Sequence, residues 1–411
     1  MTSHNPERAL AEARREFCEF GGVCPSVSRS STFTVMDPNT MPDIFHGVRG
    51  PDKGGCFLYS RHFNPTVNVL ARYLGAMEGT EFAVCTASGI SAIACSLLQI
   101  CETGSHIISS DTIYGGTHAL LGDLIPSMGI ETTFVDPCDI QAVENAITTR
   151  TKVIFTEVLG NPTLKVADIP TLASLAHDRG IMLVVDNTFT PMIFSPFVLG
   201  ADVVVYSLTK FINGASDIVG GAICASQEFV SRLMDLHTGR VMLLGPTLDS
   251  RAAFDVIQRL PHLAIRMKEH SRRAMAISKN LEEIGAPVAY PGLESSDQHE
   301  LFTTMMNGFG YGGMLTIDCK TQERAEDLMR VLQNEERFGF VAVSLGYFDT
   351  LLSCSGSSTS SEIPLKDQEK MGLSPGLLRI SVGYTGALED RMAQIGRAVM
   401  GSFTRTENHR E

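Results

Sequence analysis

Lys210 ends the run Tyr206-Ser-Leu-Thr-Lys210, directly after the β-branched segment Val203 to Val205 and before the turn Phe211-Ile-Asn-Gly-Ala-Ser-Asp217. A lysine just past a buried strand loses part of its hydration. That lowers its pKa and frees the amine as a nucleophile able to form a Schiff base. The neighbouring hydroxyls of Ser207 and Thr209 could bind a phosphate. An amine that captures aldehydes, set beside phosphate-binding hydroxyls, suggests pyridoxal 5'-phosphate (PLP), which carries both groups. The ordinary alternative is a strand-end lysine pointing into water. Asp186 favours the chemistry. It closes the apolar run Met182-Leu-Val-Val, one β-unit upstream. A carboxylate at a strand end can meet a pyridinium nitrogen and keep it protonated, so that the ring acts as an electron sink.

Other segments carry residue types that fit such a ligand. In Thr86-Ala-Ser-Gly-Ile90, Ser88, Gly89 and Ile90 open a helix pattern with Ile93, Leu97 and Leu98 on one face. A Ser-Gly turn there exposes N–H groups and a positive dipole end, which suits phosphate; a plain N-cap serine explains the same pattern. Tyr114 precedes Gly115 and Gly116, whose small size lets a ring lie flat on a cofactor. Arg379 stands inside the apolar run Leu377 to Val382, where a guanidinium needs an anionic partner, either a structural acid or a ligand. Glu157-Val-Leu-Gly-Asn161-Pro162 reads as a turn at a strand end, and Tyr59 and Arg61 read as loop polarity.

The elements that must hold these residues alternate in βα rhythm. Strand-like runs cover His106 to Ser109, Thr132 to Val135, Val153 to Thr156, Met182 to Val185, Val203 to Val205 and Gly221 to Cys224, with helical patterns such as Ile169 to Arg179 between them. This predicts an α/β fold with a mostly parallel sheet, whose ligands sit at the C-terminal strand ends. Glu157, Asn161, Asp186 and Lys210 all fall at such ends. Asn64 and Pro65 predict a helix start, with Val67, Leu70, Leu74 and Met77 on its inner face and Gly79 at its close. An amphipathic pattern runs from Arg251 to Ile284. Strand-like runs (Met314 to Ile317, Val341 to Ser344, Leu377 to Val382) then alternate with helices at Gln322 to Gln333 and Leu388 to Val399, which predicts a smaller C-terminal α/β domain. Residues 1–61, irregular after a short helix pattern from Pro6 to Phe17, read as an N-terminal arm. Residues 62–250 read as the large PLP-binding domain and 251–411 as the C-terminal domain. Ser353 to Glu362 is a low-complexity loop.

The 411 residues and 44% apolar content suffice for more than one domain. A net charge of −13 argues against nucleic acid and anionic membranes as partners. No apolar run is long enough for a bilayer span, and no targeting segment is read at the N-terminus, so a cytoplasmic location is expected. The 10 cysteines show no C-x-x-C pair, and no metal site is expected.

The motifs together resemble the Cys/Met-metabolism group of fold-type I PLP-dependent enzymes. The resemblance runs from about Phe17 to Met400 and is nearest to plant-type methionine γ-lyases. It implies the fold-type I PLP-dependent transferase-like architecture, a small amino-acid substrate, and a homo-oligomer with a dimer-shared active site, commonly a tetramer. It further implies that Lys210, Tyr114 and Asp186 are catalytic, and that Ser88, Gly89, Ile90, Ser207 and Thr209 hold the cofactor. Tyr59 and Arg61 would reach a neighbouring subunit's phosphate. Asn161, Ser344 and Arg379 would bind the substrate, Arg379 taking its carboxylate. The implied reaction is γ-elimination, with canavanine γ-lyase, O-acylhomoserine sulfhydrylase and cystathionine lyase or synthase as alternatives and a non-catalytic paralogue as a remote one. The chain departs from the commonest pattern at Gly116, at Ala215, in the 353–362 loop and in the Tyr384-Thr-Gly-Ala387 insertion.

Overall fold

Seven short strands make the larger sheet of the computed structural model, which describes residues 4–14, 18, 20–46, 48–50, 56–354, 368 and 372–404. They are β1 (Phe82–Thr86), β2 (His106–Ser110), β3 (Glu131–Val135), β4 (Thr151–Glu157), β5 (Met182–Asp186), β6 (Val203–Ser207) and β7 (Gly221–Ala225). Their order is β1-β7-β6-β5-β4-β2-β3. The pairings among β2, β3, β4, β5 and β6 are parallel, and β7 runs antiparallel to β6 and β1. Val203, Val204 and Val205 are all buried. That continuous apolar stretch, without alternation, is what a strand covered on both faces requires.

Register sets the site. Glu157 pairs with Asp186 across β4 and β5, and Asp186 with Val205 across β5 and β6. The C-terminal ends of three adjacent strands therefore lie on one edge, the edge where parallel α/β sheets take their ligands.

The smaller sheet holds β8 (Val288–Ala289), β9 (Met314–Asp318), β10 (Phe340–Val341), β11 (Leu351–Cys354) and β12 (Leu377–Ser381), in the order β10-β11-β12-β9-β8. Its pairings are antiparallel apart from β10 with β11. One helix, Leu263–Glu283, serves two cores. Leu263, Ala264 and Met267 join the cluster under the large sheet, and Ala274, Ile277 and Leu281 join that of the small sheet.

Helix Pro65–Glu78 begins and ends on the residues its sequence signals. The Asn64 side chain accepts the N–H of Thr66 at 3.0 Å, and Gly79 closes the helix at φ 88°. Elsewhere the boundaries differ from expectation. The pattern from Arg251 to Ile284 divides into Ser250–Arg259, a 3₁₀ turn Leu260–His262 and Leu263–Glu283. Pro261 lacks the N–H that a continuous helix needs there. The strand expected over Val341 to Ser344 stops at Val341. Gly346, at φ 76°, packs so near the Phe211 backbone that an added Cβ would lie 2.5 Å from its nitrogen, so this segment leaves the sheet to cross over the lysine turn. β1, β8 and β11 are additional strands. The first helix spans Pro6–Ala13, and residues 15–17 of its expected extent lie outside the described residues, as do residues 355–362 of the low-complexity loop. Among the described residues no helix is long and apolar enough to cross a membrane.

Candidate active site

A cavity of about 240 Å³ opens at the strand-end edge. Eleven of its lining residues are ones the sequence singles out: Ser88, Gly89 and Ile90 from the start of helix Gly89–Ile100; Tyr114; Glu157 and Asn161; Asp186; Ser207, Thr209 and Lys210; and Arg379 from β12. Ser344 joins them through Lys210, whose amine donates to its hydroxyl at 3.1 Å. Tyr59 and Arg61 do not line this cavity. Tyr59 is 44% exposed in an isolated bridge with Thr32, and the Arg61 guanidinium carbon lies 5.8 Å from its ring centroid.

Each lining residue is held by local structure. At the helix start, Ser88 and Ser91 form a reciprocal cap: Ser88 Oγ accepts the Ser91 N–H at 3.2 Å and Ser91 Oγ accepts the Ser88 N–H at 3.1 Å. The N–H groups of Gly89 and Ile90, in the first turn, have no intrahelical acceptor. A Cβ on Gly89 would lie 2.7 Å from that of Ser207, so glycine alone leaves this corner open. Thr209 accepts the Gly220 N–H at 3.1 Å, which fixes its hydroxyl beside Lys210. Asp186 accepts the Thr188 N–H at 2.9 Å, and Thr188 Oγ1 in turn accepts the Ser207 N–H at 2.8 Å, tying the ends of β5 and β6 together.

Arg379 is 2% exposed, yet its hydrogen bonds run to neutral oxygens: Asn161 Oδ1 at 2.9 Å and the Ser344 carbonyl at 3.2 Å. The anionic partner expected from its sequence context is thus not among its direct contacts with the described residues, and Glu157 acts on it through space. Burial pushes the guanidinium down to about 10. Burial, and then the charge of Arg379, lowers Lys210 to about 8, so an appreciable fraction of the amine is unprotonated near neutrality. Burial raises both Glu157 and Asp186, and the Asp186 charge adds to the push on Glu157.

The donor set fits PLP. There is a desolvated amine, a helix start with free N–H groups and flanking hydroxyls, and a carboxylate one strand away. Comparison with known proteins agrees. Residues 8–399 match the Cys/Met metabolism PLP-dependent enzymes. The chain belongs to that family. Methionine γ-lyase of Arabidopsis thaliana is 52% identical over 96% of this chain and 90% of its own. Canavanine γ-lyase of Rhizobium leguminosarum bv. trifolii is 34% identical over 92% and 91%. A solved structure from Campylobacter jejuni, assigned as an O-acetylhomoserine (thiol)-lyase, aligns with a TM-score of 0.88 at 26% identity, covering 96% of this chain and all of its own. It carries N'-pyridoxyl-lysine-5'-monophosphate.

As a PLP-dependent enzyme of this family, the chain lines its cavity with further residues that sequence reasoning passed over. Thr188 and Phe189 stand two and three residues after Asp186, so a strand-end reading extended by three residues would have reached them. Val343 and Leu345 come from the smaller sheet's side. Nothing local marks them, because their approach to Lys210 depends on how the chain crosses between sheets. The Tyr384 insertion packs away from the cavity: its ring stands edge-on to His270, and Arg273 donates to the carbonyls of Thr385 and Gly386 at 3.1 and 2.8 Å.

Proposed function

We propose that this enzyme eliminates the γ-substituent of L-methionine, releasing a thiol, 2-oxobutanoate and ammonia. The observation that carries the reading is the chain of hydrogen bonds Asn161–Arg379–Ser344–Lys210, of which Asn161, Arg379 and Lys210 line one cavity with Asp186. Bound PLP supplies the electron sink for carbanions at the substrate's Cα and Cβ. Arg379, with neutral partners, has its charge available for a substrate carboxylate, and Asn161 supports that guanidinium. Lys210, held at Ser344, is placed to move protons at Cα and Cβ, and its lowered pKa suits a group that must both take and give them. Tyr114, 44% exposed, is more exposed than Glu157 or Asp186 among the acids that line the cavity, which suits it to protonate a departing thiolate. Ile90, Val219, Val343 and Leu345 give the cavity apolar walls suited to a thioether.

The same reading makes the active site a shared one. Tyr59 and Arg61 lie outside their own cavity, on an arm with exposed apolar residues such as Phe20 and Met36. A second copy would receive them, in a dimer that pairs into a tetramer. None of the ten cysteines is in a disulfide among the described residues, which supports a reducing, cytoplasmic location.

The test is a 2-oxoacid assay on PLP-loaded protein with L-methionine, L-canavanine, L-cystathionine, L-homocysteine and O-acetylhomoserine side by side. Oxoacid from methionine without added thiol supports the reading. Turnover of canavanine alone, or product dependent on an added thiol, replaces it with guanidinooxy elimination or γ-replacement.

A further inference from the structure

Glu157 ends β4 with its carboxylate buried between two loops that carry different parts of the site. Oε1 accepts the backbone N–H of Tyr114 at 2.9 Å, and Oε2 accepts the backbone N–H of Asn161 at 2.8 Å. One bond is long-range and the other local. Tyr114 is 43 residues away, and the Asn161 bond closes the turn whose side chain meets Arg379. One side chain therefore stands at the junction of a chain of contacts from Tyr114 through Glu157, Asn161, Arg379 and Ser344 to Lys210. Its backbone is pinned as well, since it pairs with Asp186 in the sheet.

We propose that Glu157 is a positioning residue that fixes the distance between the tyrosine at the cavity mouth and the arginine that takes the substrate carboxylate. A buried carboxyl group whose two oxygens both meet backbone N–H groups has little freedom to swing. Aspartate, one methylene shorter, cannot span both loops from the same backbone position. Glutamine keeps the length but turns one oxygen into an NH₂ that faces an N–H donor, so one loop must release. The expected consequence is double: poorer carboxylate binding through Asn161 and Arg379, and slower turnover through Tyr114.

This rests on the PLP-dependent γ-lyase reading, and the experiment separates the two. Glu157→Gln and Glu157→Asp holoenzymes are compared with wild type in three measurements: PLP content, the dissociation constant of L-norleucine read from the cofactor's absorbance, and kcat and KM for methionine. L-Norleucine has a methylene in place of sulfur and no leaving group, so its binding reports the anchor without turnover. Both variants are expected to keep PLP at wild-type stoichiometry, to bind norleucine about tenfold more weakly and to lose about tenfold in kcat, the size of one hydrogen bond to a charged group. Unchanged norleucine binding and kcat in Glu157→Gln would overturn the proposal. So would full rescue by Glu157→Asp, which would assign the effect to charge, or loss of PLP with wild-type constants in the fraction that retains it. If wild-type enzyme binds norleucine but makes no oxoacid from methionine, the proposed reaction fails, while the norleucine arm still decides the role of Glu157.

Discussion

The amine of Lys210 and the hydroxyl of Ser344 lie 3.1 Å apart across 134 residues of chain. The same serine offers its carbonyl to Arg379 at 3.2 Å. One residue from the crossing segment thus sets the lysine relative to the guanidinium. The two contacts use different atoms, so they can be separated by mutation.

Ser344→Ala removes the hydroxyl and keeps the carbonyl. Lys210 should lose its partner while Arg379 keeps its own. The expected result is a kcat lower by about tenfold with KM changed by less than about threefold, from the loss of one hydrogen bond to an ionisable amine. Steady-state kinetics with methionine, at matched PLP content, checks this. A change confined to KM would place the serine on the substrate side instead.

The lowered pKa of Lys210 gives a pH dependence with a definite sign. The amine attacks an aldehyde when unprotonated. Its fraction in that form rises through about 8, against 10.5 for an unburied lysine. Recombination of apoenzyme with PLP should therefore speed up between pH 7 and 9 by about tenfold and then level. Arg379→Ala removes one cause of the lowering, so the midpoint should move up. Stopped-flow absorbance across a pH series measures both. A rate still climbing steadily to pH 10 would mean that Lys210 behaves as a solvated lysine.

Much of this site could be read from single segments. Lys210, Asp186 and Ser88 each sit next to a strand end or helix start with a clear local signature, and Asn64 and Gly79 mark the ends of their helix. What could not be read depends on contacts between distant segments. β11 is four residues long and carries no turn signal of its own. Val343 and Leu345 look like strand residues by composition, and it is the packing of Gly346 on Phe211 that takes them out of the sheet. Glu157 was visible as a strand-end acid, but its role needed both loops in place. Tyr59 and Arg61 do not line the cavity, and the shared-site proposal gives them a second copy's cofactor as their target.

Arg61→Ala tests that last point. A contact supplied by a second copy should be felt as weaker PLP retention, on the order of tenfold or more for a lost arginine–phosphate pair. Equilibrium dialysis of the cofactor measures it. Wild-type retention would remove the case for a phosphate contact by Arg61.

Gly116 governs the Tyr114 ring. A Cβ at position 116 would lie 2.6 Å from Tyr114 Cε1 and 3.1 Å from Cζ. Gly116→Ala should therefore displace the ring without touching Lys210 or Asp186. The expected outcome is unchanged PLP content and a kcat for methionine lower by roughly three- to tenfold, in line with about 1 kcal/mol for a shifted contact. Gly116→Cys should do at least as much. Wild-type kcat in Gly116→Ala would show that the ring position seen in this structure is not needed for turnover.

Glu78 links stability to pH. It is the last residue of its helix, is 1% exposed, and meets the Tyr206 hydroxyl and, at 3.0 Å, the Phe197 N–H. Burial pushes its carboxyl from 4.5 up to about 8, against the lowering effect of those bonds. The negative end of the helix dipole also disfavours its charge. Between these two pH values the folded chain holds a proton that the unfolded chain has released. This contribution to stability is therefore fully present below pH 4.5 and is lost as pH rises through about 8. Glu78→Gln cannot ionise, and its side-chain oxygen can still accept from the Tyr206 hydroxyl or the Phe197 N–H. The melting temperature of Glu78→Gln relative to wild type should rise steadily from pH 5 to 8.5. A difference that stays constant across that range would mean that Glu78 is already ionised in the fold, with Tyr206 donating to a carboxylate.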